Sequence, residues 1–187
     1  MRIISGKFKS RKIRFPKTKM TRPMMDRMKE TLFNIITTDI ENTKVLDLFC
    51  GSGSLGLEAI SRGASHVVFV DGESEPCEIV KKNLNELLIG HDQASILQLP
   101  STQALRYLSK RQRKFDLIFL DPPYNKGLIK KTLRQLMRFD IVNAHGKIVI
   151  HRAKQESLPS DILHFKITSE REVGQAYLTF LAYDIKA

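Results

Sequence analysis

The amino-acid sequence predicts an α/β fold: a mostly parallel sheet with helices on both faces, closed by a C-terminal antiparallel hairpin and preceded by a small N-terminal extension. Three observations predict it. Beyond Asn42 the chain alternates short apolar runs with amphipathic stretches of helical period, which is the pattern of repeated strand-helix units. The first apolar run, Val45 to Leu48, passes through a glycine-rich turn, Cys50-Gly51-Ser52-Gly53, into a helix. The last two apolar runs meet at Gly174 with no helix between them, as two strands of a hairpin do.

The elements follow in order. Residues 1–22 form a basic arm in which Ile3, Ile4, Phe8, Ile13 and Phe15 alternate with cations and Gly6 and Pro16 act as breakers, which predicts a short hairpin. Residues 23–187 are expected to make one domain together with its leading helix, since a chain of 187 residues buries roughly 70% of its unfolded surface in a single core. Thr21 suits the cap of the leading helix and Pro23 its first turn, and Met28, Thr31, Leu32, Ile35 and Ile36 recur at helical spacing as its core-facing stripe. Strands are predicted at 44–48, 66–70, 94–99, 115–120, 146–150, 162–173 and 175–183, with helices at 55–61, 74–88, 102–109 and 127–139. Gly63 and Gly90 stop two of those helices, and a basic turn, 110–114, leads into the fourth strand.

Charge narrows the partners. The net charge is +11 and the pI near 9.8, and much of the excess lies in Arg2, Lys7, Lys9, Arg11, Lys12, Arg14, Lys17, Lys19 and Arg22, with no acid before Asp26. Runs of charge are often only a solvated face. A compact cationic segment on an otherwise nearly balanced domain fits a polyanion better, because binding releases condensed counterions. Cys50 and Cys77 have neither disulfide nor metal-ligand spacing, so a reducing setting and no metal are expected. The absence of a bilayer-length apolar run or an apolar segment after Met1 predicts a cytoplasmic protein.

Two motifs carry chemistry. Gly51, Gly53 and Gly56 have G-x-G-x-x-G spacing, and Asp71 lies 20 residues beyond Gly51, where a carboxylate can hold ribose hydroxyls. That combination suits a dinucleotide or any other adenosine-containing ligand. Asp121-Pro122-Pro123-Tyr124 distinguishes them. Two prolines fix φ twice and remove two N–H donors, leaving rigid acceptors for an amino group. The Asp121 carboxylate and Pro122 carbonyl can each accept a hydrogen bond from one N–H of a nucleobase amino group, turning its lone pair toward an electrophile. Tyr124 offers a stacking face worth about 1–3 kcal/mol per base. Hydride transfer has no use for such a turn, which places a nicotinamide oxidoreductase last.

The Val45 to Gly53 stretch and the Asp121 to Tyr124 tetrapeptide resemble the cofactor and amino-methylation motifs of class I S-adenosylmethionine-dependent methyltransferases. Together with Arg2-Ile3-Ile4-Ser5-Gly6, Thr21-Arg22-Pro23, Asp26-Arg27, Glu30-Thr31-Leu32-Phe33-Asn34 and Gly56-Leu57-Glu58-Ala59, they resemble the bacterial small-subunit (16S) ribosomal RNA (guanine-N2)-methyltransferase family over essentially the whole chain. The resemblance implies a Rossmann-like methyltransferase fold with a seven-stranded sheet, S-adenosylmethionine as cofactor, and guanine N2 of ribosomal RNA as acceptor. It implies a cofactor site of Asp47, Phe49, Gly51, Ser52, Gly53, Asp71, Gly72, Gln103 and Ala104, with Asp47 and the turn on the amino-acid end and Asp71 on the ribose. Asp121, Pro122 and Tyr124 are the expected catalytic group, and Arg2, Lys7, Lys9, Arg11, Lys12, Arg14 and Arg22 the expected RNA contacts. The expected partner is ribosomal RNA in a small-subunit particle or assembly intermediate, met by a monomer. The chain departs from the family pattern at Met24-Met25, where many relatives have Thr-Thr, and at Gln103, where methyltransferases often have Asp. A DNA adenine-N6 methyltransferase shares both motifs, and a non-catalytic RNA-binding assembly factor would keep the fold.

Overall fold

The computed structural model describes residues 1–15, 26–36, 40–123, 127–158 and 165–183. Seven strands, β1 (Lys44–Leu48), β2 (His66–Asp71), β3 (Ala94–Gln98), β4 (Phe115–Leu120), β5 (Val142–Ala153), β6 (Phe165–Val173) and β7 (Ala176–Tyr183), form one sheet in the order β3-β2-β1-β4-β5-β7-β6. β3 through β5 pair in parallel, whereas β7 is antiparallel to both β5 and β6. The direction of strand succession reverses between β1 and β4. In an open α/β sheet this is where a crevice opens beyond the carboxyl ends of the strands.

Five helices, α1 (Asp26–Ile35), α2 (Ser54–Ser61), α3 (Ser74–Glu86), α4 (Ser101–Lys110) and α5 (Leu128–Phe139), complete the described elements. The expected cap at Thr21, Pro23 and the Met24-Met25 pair lie outside the described residues. Alternate residues of each strand point to opposite faces, so one sheet carries two cores. Val45, Val67, Phe69, Leu117 and Phe119 pack with Leu32 and Phe33 of α1, Leu57 of α2 and Val80 of α3. Leu46, Leu48, Val68, Val70, Ile118 and Leu120 pack with Leu105 of α4 and Ile129 and Leu133 of α5. Because both faces are covered, the parallel strands read as continuous apolar runs.

β5 extends well beyond the predicted 146–150. Its pairing with β4 jumps from Phe115↔Val142 to Leu117↔Lys147, and the polar residues His151 and Arg152 continue the strand because β7 pairs with them. Apolar patterning alone could not have reached them.

The N-terminal segment folds back through a single antiparallel bridge, Arg2↔Lys12, and is docked on the body rather than extended from it. Ile3 and Ile13 are buried in the first core. Glu58 of α2 organises the contact: its two oxygens accept from the backbone N–H groups of Ile4 (2.8 Å) and Ser5 (3.0 Å) and pair with Lys29 Nζ (3.4 Å) and Arg62 Nε (2.9 Å). The side chains of Glu58 and Lys29 are wholly inaccessible to solvent. Such a pair is tolerated only while the remaining hydrogen-bonding positions are filled, and removing one partner strands the other charge. Glu58→Ala is therefore expected to lower the unfolding free energy by about 3–5 kcal/mol, measured by urea denaturation against the parent protein.

Candidate active site

β1 delivers the chain into a turn of left-handed residues. Phe49 (φ 68°), Gly51 (φ 53°) and Gly53 (φ 74°) all lie in that region, and Gly53 N–H closes the turn on the Cys50 carbonyl at 2.7 Å. For Phe49 the conformation costs roughly 1–2 kcal/mol, a strain found typically at functional turns. Gly53 serves as the N-cap of α2, and a Cβ there would press on Val80 and Phe69 at 3.0–3.1 Å. At Gly56 a Cβ would stand 2.3 Å from the Phe69 ring, so α2 can sit this low on β2 only with glycine. A Cβ on Gly51 would meet nothing within 4 Å: the backbone there faces open space, as a ligand cradle requires.

Three carboxylates border the crevice. Asp47 is buried and its Oδ2 accepts from Gly56 N–H at 2.9 Å. Burial pushes its carboxyl up to about 8; the Gly56 bond opposes the shift, and the charges of Asp121 and Asp71 add to it. Asp71, at the end of β2, accepts from Gly51 N–H through Oδ2 and from Glu73 N–H through Oδ1, both at 3.1 Å. It thereby clamps the turn after β1 to the turn after β2. Asp121 follows β4, is 21% exposed, and forms a 2.6 Å contact between Oδ1 and Nδ1 of His151. Pro122 beside it is buried, while Tyr124 lies outside the described residues.

The other expected cofactor residues occupy graded positions. Ser52 is buried in the turn, and Gly72 is next to Pro100, the residue that precedes α4. Gln103 is exposed in the first turn of α4, whereas Ala104 is fully buried beneath it. Burial also raises both thiols, Cys50 well above its ordinary value and Cys77 to about 11, which leaves neither a ready nucleophile. Among the described residues no cluster of His, Cys, Asp and Glu is arranged to hold a metal, and no helix is long and apolar enough to cross a membrane.

The arm cations Arg2, Lys7, Lys9, Arg11, Lys12 and Arg14 are all exposed, and Arg22 lies outside the described residues. Arg14 pairs with Glu86 at 2.6 Å and Arg11 donates to the Glu86 carbonyl, so part of the arm's charge is directed at α3. Asn83 links this segment to the glycine turn. Its Oδ1 accepts from Arg14 N–H, and its Nδ2 donates to the carbonyls of Arg14 and Ser52. Neither Asn83 nor His151 emerged from the sequence. Asn83 carried one detectable signal, a polar residue within the apolar stripe of Val80 and Leu84; His151 carried none, because its neighbour depends on strand register.

Comparison with known proteins gives this geometry a lineage. The family described as Conserved hypothetical protein 95 matches residues 1–182. Ribosomal RNA small subunit methyltransferase D of Buchnera aphidicola is 38% identical over 157 residues, covering 83% of this chain and 80% of that protein. Its Escherichia coli K12 counterpart is 30% identical over 175 residues, 94% and 86% of the respective chains. The chain belongs to the ribosomal RNA small subunit methyltransferase D family. A solved structure in the same fold, a hypothetical protein of Thermus thermophilus, superposes with a TM-score of 0.82 at 27% identity, covering 96% of this chain and 98% of that one. Family membership and the sheet order together establish the class I methyltransferase fold, with the glycine turn and Asp121 on either side of its strand-order reversal.

The buried Asp47 has a measurable consequence for this family member. Unfolded, its carboxyl loses its proton near 3.8, whereas folded it keeps the proton to about 8. The folded state thus binds more protons between those values, and stability falls as pH rises from about 4 to about 8. Asp47→Asn retains an acceptor for Gly56 N–H but cannot ionise. Its melting temperature relative to the parent is expected to climb across that window and level off above it, followed by calorimetric scans at successive pH values.

Proposed function

We propose that this protein transfers a methyl group from S-adenosylmethionine to the exocyclic N2 amino group of a guanine in small-subunit ribosomal RNA. The observation that carries the reading is the position of the Asp121 carboxylate, at the carboxyl end of β4 and directly across the β1-β4 pair from the glycine turn. The names of the two relatives support the acceptor class.

The residues present fit the cofactor. The open backbone at Gly51 leaves room for it, and the carboxylates of Asp71 and Asp121 suit a ligand whose sulfonium and ammonium outweigh its single carboxylate. Asp71 and Gly72 would hold the ribose, Asp47 and the Phe49 to Gly53 turn the amino-acid end, and Gln103 with Ala104 the adenine, where the Gln103 amide oxygen can accept from the exocyclic amine. The cofactor supplies an electrophilic methyl on sulfur. Asp121 and the Pro122 carbonyl orient the amino group, and the Asp121 charge faces the positive charge that develops on nitrogen. Orientation and preorganised charge of this kind supply several kcal/mol without a covalent enzyme intermediate. Tyr124 would stack on the base.

An amino group inside a stacked helix is out of reach, so the target guanine is an unpaired or extruded one. The arm cations would grip nearby phosphates. α5 offers a second grip, because Lys130, Lys131, Arg134 and Arg138 are exposed along a helix that contains no acid. The reading takes a small-subunit particle or assembly intermediate as substrate and a cytoplasmic monomer as the acting form.

Asp121→Ala is expected to abolish methyl transfer while leaving S-adenosylmethionine affinity within a few-fold of the parent, measured by calorimetry beside transfer of labelled methyl to small-subunit particles. Near-normal turnover would remove Asp121 from the chemistry, and label found only on DNA would overturn the acceptor. Neutralising Lys7, Lys9, Arg11 and Lys12 together is expected to flatten the dependence of log Kd on log salt by about 0.7–0.9 for each phosphate that no longer meets a cation. An unchanged slope in a filter-binding series would assign the RNA grip elsewhere.

A further inference from the structure

We propose that His151 is the positioning residue for Asp121: its Nδ1–H fixes the plane of the Asp121 carboxylate and directs the other oxygen, Oδ2, at the amino group being methylated. The inference rests on the methyl-transfer reading above and adds a residue to it. Parallel pairing of β4 with β5 puts Leu120 opposite Ile150, so the next residue of each strand, Asp121 and His151, emerges side by side at the carboxyl edge. The Nδ1 to Oδ1 distance is 2.6 Å, a short hydrogen bond just under the roughly 2.7–2.9 Å typical of charge-assisted N–H···O pairs. A carboxylate oxygen can only accept, so the contact assigns the proton to Nδ1.

The surroundings explain why such a strut is needed. Asp121 lies close enough to Asp47 for its charge to act on that buried carboxyl, and Asp71 acts on it as well, so acidic groups converge on the crevice. Without a donor behind it, the Asp121 carboxylate would be free to rotate away from its neighbours. The His151 side chain is only 8% exposed and is held in the sheet between β4 and β7, where it pairs with Leu178, so a water molecule cannot readily replace it. The prolines at 122 and 123 stiffen the turn on the far side of Asp121. Backbone and side chain are thus constrained from opposite directions.

The reaction balances with His151 as a bystander to bond exchange. The S–CH3 bond breaks with its electron pair going to sulfur, and the nitrogen lone pair forms the N–CH3 bond. The resulting cationic nitrogen loses one proton to Oδ2 of Asp121, which later returns it to solvent. His151 holds Oδ1 throughout.

The test compares His151→Phe, which keeps a ring of similar size without the donor, with His151→Asn, whose amide nitrogen can reproduce the Nδ1 donor. Single-turnover methylation of small-subunit particles, KM for S-adenosylmethionine and RNA Kd are measured for both, with thermal unfolding as a control. His151→Phe is expected to slow single-turnover transfer roughly 10- to 100-fold with KM and Kd within threefold of the parent, and His151→Asn to recover most of the rate. Parent-like transfer by His151→Phe, or equal impairment of two folded variants, would overturn the role of His151 alone. A parent protein that methylates no small-subunit particle or RNA would overturn the underlying reading, and this proposal with it.

Discussion

Parallel pairing of β1 with β4 is the constraint on which the site depends. Four consecutive register pairs, from Val45↔Leu117 to Leu48↔Leu120, bring the ends of these strands level, so the glycine turn and the proline turn leave the sheet at the same height. Neither turn makes a site by itself. One is an open glycine backbone, and the other a set of acceptors at the end of the neighbouring strand. The strand-order reversal sends the two connections to opposite faces of the sheet, and the space that opens between them becomes the crevice. The flanking helices follow the same division, α2 and α3 with one core and α4 and α5 with the other.

Burial of polar groups then fixes the surroundings of that crevice. Each of the two most consequential ones is satisfied several times over. Glu58 takes two backbone N–H groups and two cations, which seats the N-terminal segment on α2. Asn83 takes one backbone N–H and donates to two carbonyls, which ties the same segment through α3 to Ser52 in the glycine turn. An arm that would otherwise be a solvated cationic tail is thereby held at a defined place next to the glycine turn. The penalty for leaving such groups unpaired in a low-dielectric interior makes the docking specific as well as stable.

The crevice itself is lined by acidic groups under restraint. Asp71 engages backbone N–H groups with both oxygens, Asp47 engages Gly56 with one, and Asp121 is held by His151. These bonds keep carboxylates close together without letting them splay. In the proposed reaction the charges of Asp71 and Asp121 would complement a cationic methyl donor and the positive charge that develops on an attacking amine. The raised carboxyl of Asp47 is first the consequence of burial, to which the neighbouring charges of Asp121 and Asp71 add.

The sequence by itself determined the elements and the placing of the two motifs at strand ends. Strand-helix alternation, the glycine spacing with Asp71 at 20 residues, and the Asp121 tetrapeptide are local features, because a period, a cap or a proline turn is encoded within a few residues of chain. Strand ends were legible to within a few residues wherever an apolar run stopped at a turn. The exception was β5, whose continuation through His151 and Arg152 depends on a partner strand far away in sequence. Only the tertiary structure decided that the arm docks through Glu58, that Asn83 joins it to the glycine turn, and that His151 stands behind Asp121. Each is a contact between residues 30 to 69 positions apart, made by polar side chains that have no periodicity to reveal them. Register and burial create such contacts, and both are properties of the assembled sheet rather than of any segment in it.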